Sequence, residues 1–79
     1  MAVNGRPVCW IESKVSFGDL ETHNEYLRGQ YSSYWNRFGP GLVIYWFGFI
    51  DEISEEMQRQ GILIMDHFPD VKDVTFMNP

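Results

Sequence analysis

Residues 42–50, LVIYWFGFI, constrain the fold more than any other part of this 79-residue chain. Nearly every position is apolar, so no face of the segment is written for water. A bilayer-spanning helix needs about 20 such residues, and this run is too short for one. What remains is a strand covered on both faces, as in a sheet with helices packed on it. Just upstream, Leu20, Leu27, Tyr31, Tyr34, Trp35 and Phe38 recur at spacings of three, four and seven. That period predicts one long helix over residues 20–38, stopped by Gly39-Pro40-Gly41. Gly29 weakens it by about 1 kcal/mol relative to alanine.

Before the helix, residues 8–15 (VCWIESKV) read as a strand. In extended backbone, Cys9, Ile11, Ser13 and Val15 share one face, and Trp10, Glu12 and Lys14 the other. Asn4-Gly5 reads as a tight turn ahead of it. Beyond residue 50, the acidic stretch 51–60 has only Ile53 and Met57 as an apolar pair, which fits a short solvated helix or a long loop. Residues 62–68 read as another strand and 71–77 as a weaker one. The order β-α-β-(α)-β-β makes the chain a single α/β domain over residues 1–79, a mixed sheet with one long helix packed on it.

Composition narrows the function classes. At 44% apolar and 16% aromatic, the chain is too hydrophobic for a disordered tail. The net charge of −5 arises wholly from residues 42–79, which hold seven acids and two bases. No basic patch is present, so binding to a phosphate backbone calls for a metal ion or for basic segments elsewhere. Cys9 is the only cysteine. It forms no internal disulfide, fits a reducing compartment and reads as a small buried apolar residue. With no apolar run at the N-terminus, the chain reads as soluble and intracellular.

Glu12 and Lys14 carry the chemistry. Two apart on a strand, they emerge on one face with Cα atoms roughly 6.5 Å apart. A carboxylate holds a hard divalent cation, and the cation polarises a phosphoryl oxygen and activates a bound water. A lysine beside it positions that water and offsets charge developing on the phosphate. Gln30 and Tyr34, four apart on the helix, share a face from which an amide and a phenol can orient the lysine or touch a phosphate. Asp19 is an N-cap, with a further metal ligand as its other role. Arg28 and Arg37 can contact a phosphate backbone but are more often solvated. Trp10, Trp35 and Trp46 read as core. Neither His23 nor His67 has a partner at metal-ligand spacing.

The strand WIESKVSFGD and the block YSSYWNRFGPGLVIYWFGFI resemble the codanin-interacting nuclease family, also called the TPD-domain family, of the PD-(D/E)xK nuclease superfamily. The resemblance runs from Val8 onward, fades over residues 51–60 and returns at Gly61-Ile62-Leu63. It implies a partial restriction-endonuclease-like core, β-α-β plus C-terminal strands, in which residues 8–15 form the third strand and residues 42–50 the fourth. It further implies a DNA nuclease dependent on Mg2+ or Mn2+, with Glu12 as metal ligand, Lys14 as the water-activating cation, and Gln30 and Tyr34 matching the helix motif of RecB-like members. Codanin as partner, residence in nucleus and cytoplasm, and a link to erythroid differentiation are implied in the same way. The family's second strand carries Thr-Pro-Asp, and no Pro-Asp precedes Glu12; the chain's one Pro-Asp is Pro69-Asp70. These residues alone are therefore expected to be inactive as a nuclease. The alternative is a protein-interaction module with a vestigial nuclease site, built on the acidic segment and the aromatic strand.

Overall fold

The computed structural model describes residues 1–75. A hairpin opens the chain, β1 (Ala2–Val3) and β2 (Arg6–Pro7), joined through Asn4 and Gly5. Both turn residues have positive φ, 51° and 78°, the two-residue geometry that matches the natural twist of the flanking strands. Next come β3 (Ile11–Lys14), α1 (Leu20–Tyr26) and α2 (Ser32–Phe38), then β4 (Gly41–Tyr45), α3 (Asp51–Arg59) and β5 (Ile62–Met65). A 3-10 turn (Val71–Asp73) leads into β6 (Val74–Thr75).

Two three-stranded sheets result. β3, β4 and β5 pair in parallel in that order, with Glu12 opposite Val43 and Lys14 opposite Tyr45. β1 pairs antiparallel with both β2 and β6. Both crossovers of the parallel sheet lie on one face, as same-handed connections require when the strand order moves steadily one way. There Tyr31, Val43, Tyr45, Ile53, Met57, Ile62 and Ile64 form the larger core. On the opposite face, Val3, Val8, Leu42 and Ile44 form a smaller core under the hairpin sheet. β4 is thus covered on both sides and buried at every position, as its unbroken apolar run predicts.

The mixed α/β reading holds, with four adjustments. β4 ends at Tyr45 rather than running to residue 50, because the chain turns at Trp46-Phe47 and Gly48 takes a φ of +96°. The neighbouring strands are likewise shorter than expected, Ile11–Lys14 and Ile62–Met65. The acidic stretch is a helix, anchored by buried Ile53 and Met57. Of the weaker C-terminal strand only Val74–Thr75 is extended; its last expected residues, 76 and 77, lie outside the described residues.

The long helix is continuous from residue 20 to residue 38, but its middle turn, Leu27–Tyr31, is a π-turn. One extra residue in a turn sets everything after it back by roughly 100°. Trp35 and Phe38, which the simple period assigns to the core, are 39% and 52% exposed, because they lie in the final stretch of the helix, past the fully buried Tyr31. Leu20, at the helix start, is also exposed, and the buried face is drawn instead through His23, Leu27 and Tyr31. Cys9 is exposed rather than buried, because it sits in the irregular approach to β3 where the backbone has not yet entered the sheet.

Candidate active site on the edge strand

β3 ends one side of the parallel sheet, and its helix-facing residues are Trp10, Glu12 and Lys14. Trp10 anchors the row: its indole Nε1 donates to the Gly39 carbonyl at 2.7 Å, and its ring lies beside Tyr31 and Tyr34 at 6.2 and 5.2 Å between centroids. Beyond it, the Lys14 ammonium is enclosed. Nζ lies 3.1 Å from Glu12 Oε1, donates to Gln30 Oε1 at 2.6 Å and sits 4.2 Å above the Tyr26 ring. The Lys14 side chain is only 14% exposed, against 25% for Glu12. A half-buried ion pair with further polar contacts is far better fixed than a solvated surface pair, whose two long side chains move freely.

Three of the four expected catalytic positions therefore interact through Lys14 or lie beside it: Glu12, Lys14 and Gln30. Tyr34 does not join them. It packs on Trp10, nearer the start of β3, one turn further along the helix than Gln30. Tyr26 takes the place beside Lys14 instead; its signal in the sequence is a position four before Gln30, visible only in hindsight. Asp19 is the helix cap, with Oδ1 accepting from the Thr22 amide at 2.7 Å and Oδ2 from the Thr22 hydroxyl at 3.2 Å. Both of its oxygens are engaged away from Glu12. Arg28 and Arg37 are exposed, and Arg37 lies over the Phe38 ring. Ser13, on the other face of β3, accepts from the Trp46 indole. No group of three His, Cys, Asp or Glu side chains converges among the described residues. Nor is any described helix long and apolar enough to cross a membrane.

Directly behind the site runs a buried polar chain that residue patterns alone do not disclose. Tyr45 Oη meets His23 Nδ1 at 2.8 Å and Tyr31 Oη at 3.0 Å. Burial raises both phenols, Tyr45 to about 12 and Tyr31 well beyond any accessible pH, so both stay protonated. Burial also lowers His23, against an opposing pull from Glu56, so its imidazole is neutral in the fold. Its Nε2 is buried with no protein partner, beside a recess of about 30 Å³ lined by Leu20, Asn24 and Glu56. That is room for one water.

The neutral histidine has a stability consequence. In the unfolded chain it titrates near 6.5, and in the fold its value is lower. The unfolded state therefore binds the proton more readily below pH 6.5, and the stabilisation is complete above that value and lost as pH falls beneath it. Urea midpoints at pH 7.5 and pH 5.0 are expected to fall with pH, and the fall is expected to be smaller in His23→Gln. Equal slopes in the two proteins would refute the assignment.

A recess of about 520 Å³ between α2 and α3 opens by Trp35, Arg59 and Ile62. Ile62 begins β5, whereas Lys14 ends β3, so this recess lies at the opposite end of the parallel sheet from the Lys14 cluster.

Residues 1–68 match the profile of a family described as a protein of unknown function, TPD sequence-motif. A relative from Xenopus tropicalis, CDAN1-interacting nuclease 1, is 60% identical over 70 residues, covering 89% of this chain and 23% of its own length. The proteins of that name from Danio rerio and Homo sapiens are 62% and 58% identical over 69 residues, 87% of this chain in each case. The chain spans about a quarter of the length of these curated relatives: 23% of the first and 24% of the last. No solved structure matches. With an extensive profile match and relatives this similar over most of its length, the chain belongs to the TPD sequence-motif family, whose vertebrate relatives are named as nucleases that interact with CDAN1.

Proposed function

We propose that Glu12, Lys14 and Gln30 are the strand-and-helix half of a metal-dependent centre that hydrolyses phosphodiester bonds in DNA, within a restriction-endonuclease-like core. The enclosed Lys14 ammonium is the observation that carries this reading. A lysine held by a carboxylate, an amide oxygen and an aromatic face is pre-positioned as a point charge. Such a charge stabilises a phosphoryl group as it gains negative character, without reorganising at the moment of reaction. Gln30 fixes where the ammonium points, and Glu12 holds it from the strand side at 3.1 Å.

A magnesium-class ion takes near-octahedral oxygen coordination from one or two carboxylates, waters and substrate phosphates. Glu12 is the carboxylate against Lys14, and no group of three metal-ligating side chains forms among the described residues, so these residues do not make a complete ion site. In this proposal a second carboxylate comes from outside the 79 residues, and Mg2+ or Mn2+ belongs to the longer assembly. Expressed at the length of its relatives, the protein is expected to cleave DNA only with added Mg2+ or Mn2+, and Glu12→Gln to reduce the rate at least a hundredfold. The 79 residues by themselves are expected to show no cleavage. Metal-dependent cleavage that survives Glu12→Gln would overturn the site.

A second reading is favoured by one observation. Ile11, Val15, Phe17 and Phe47 are exposed around β3 and its exit, with Val15 at 77% and Phe47 at 68%. Apolar side chains gathered at a sheet edge suit a protein partner. In this reading codanin is that partner, as it is by name for the relatives, and the lysine cluster is a vestige. Purified codanin binding equally well to Lys14→Met, in a protein that cleaves no DNA, favours this second reading.

A further inference from the structure

The buried chain His23–Tyr45–Tyr31 and the Lys14 cluster share one piece of backbone, the π-turn Leu27–Tyr31. His23 and Tyr31 are eight positions apart, yet both reach the same hydroxyl, Tyr45 Oη, at 2.8 and 3.0 Å. In an unbroken α-helix eight residues turn 800°, leaving the two side chains roughly 80° apart around the axis. The extra residue of a π-turn removes about 100° of that, bringing them within roughly 20° of one line. Only the widened helix lets both side chains meet Tyr45. That same turn carries Gln30, which accepts from Lys14 Nζ at 2.6 Å.

We propose that Tyr45, with His23 and Tyr31, is a positioning device: its hydroxyl selects the π-turn over a straight helix and so seats Gln30 on Lys14. Tyr45 is well placed for this. It is the last residue of β4, in register with Lys14, and it is fully buried. Its ring is wedged against the backbone of Gly18, where a Cβ would fall 2.8 Å from Cδ2, so the hydroxyl cannot swing to follow a shifting helix. Straightening the helix with His23 held on Tyr45 rotates Tyr31 off it and strands the buried Tyr31 hydroxyl, which is the penalty that holds the wide turn. The functional meaning of the device rests on the nuclease reading above; its geometry does not.

The chain offers a built-in measurement. Lys14 and Lys72 are its only lysines, and Lys72 is exposed. Brief acylation of the folded 79-residue chain with an amine-reactive ester, read by mass spectrometry, gives the Lys14-to-Lys72 labelling ratio. Tyr45→Phe removes one oxygen and keeps the ring. It is expected to raise the ratio at least threefold, as is Gln30→Ala, with the circular dichroism spectrum unchanged. His23→Gln, which still offers an amide to Tyr45, is expected to keep a lower ratio than His23→Ala. If Tyr45→Phe does not fold, Tyr31→Phe carries the same test. A folded Tyr45→Phe or Tyr31→Phe protein with the parental ratio, beside a raised ratio in Gln30→Ala, overturns the proposal; so does an unchanged ratio in Gln30→Ala. A raised ratio in a protein that never cleaves DNA at the length of its relatives leaves the positioning device standing and removes the nuclease reading alone.

Discussion

Gly41→Ala is expected to unfold much of the protein under conditions where the parent is folded. Gly41 opens β4 on the helix-facing side, and the Trp10 indole lies flat against it. A Cβ at Gly41 would land inside the van der Waals envelope of that ring. Neither partner can yield cheaply. Gly41 is the first residue of the central strand, paired with Ile62 of β5. Trp10 is held by its hydrogen bond to the Gly39 carbonyl at 2.7 Å and by its neighbours Tyr31 and Tyr34. Overpacking of this kind typically costs about 1–3 kcal/mol, and rigid partners put it at the upper end. A domain this small holds only about 3–5 kcal/mol in reserve. With a urea slope near 1 kcal/mol/M, a cost of about 3 kcal/mol lowers the midpoint by roughly 3 M. A midpoint within a few tenths of a molar of the parent would show that the indole is free to move aside.

Lys14→Met, in the protein expressed at the length of its relatives, is expected to lower phosphodiester cleavage by a factor of about 10²–10³, the usual loss when one pre-positioned charge-stabilising group is removed. Methionine keeps the length and apolar stem, so the packing over Tyr26 survives while the charge is lost. Lys14→Arg is the sharper comparison. The space at Nζ is bounded by Glu12 at 3.1 Å, Gln30 at 2.6 Å and the Tyr26 ring at 4.2 Å. A compact ammonium fits these three contacts; a planar guanidinium with five donors does not, and charge alone does not restore activity. Arginine restoring the parental rate would mean that the site needs only a positive charge and that the enclosure is incidental. Circular dichroism of both variants separates a lost site from a lost fold.

How much of this was legible in the sequence follows from which interactions are local. The turn at Asn4-Gly5, a strand beginning near residue 42, the cap at Asp19 and the shared face of Glu12 and Lys14 all depend on neighbours a few positions away, and the amino-acid order states them. The two-sided burial of β4 was equally plain, since nine apolar residues leave water no face. What was hidden depends on one non-local event. The π-turn is stabilised by Tyr45, fourteen positions beyond Tyr31, and no periodicity within the helix announces it. It sets Tyr31 in line with His23, a match that the simple period does not give. Trp35 and Phe38 follow in regular helix and are exposed near its end, where a period read within the helix cannot tell that no core element lies opposite. Tyr26 lies beside Lys14, a contact between strand and helix that spacing did not single out. Cys9 is exposed for a related reason: a strand begun at residue 8, three residues ahead of β3, assigns a face to a residue that has none.

β3 has a neighbour on one side only among the described residues. Its outward backbone groups are therefore an open row of donors and acceptors next to Glu12 and Lys14. Any segment that joins this row adopts the two-residue alternation of the sheet, and every second side chain falls on the face that holds the lysine. Completing the centre is then a matter of alignment between two chain segments rather than of loop shape. A slip of one residue would turn an incoming carboxylate to the far side and present its neighbour instead. If the nuclease centre proposed above forms, its second ligand is in this sense encoded twice: in the residue that supplies it, and in the hydrogen-bond step at which its strand comes to rest.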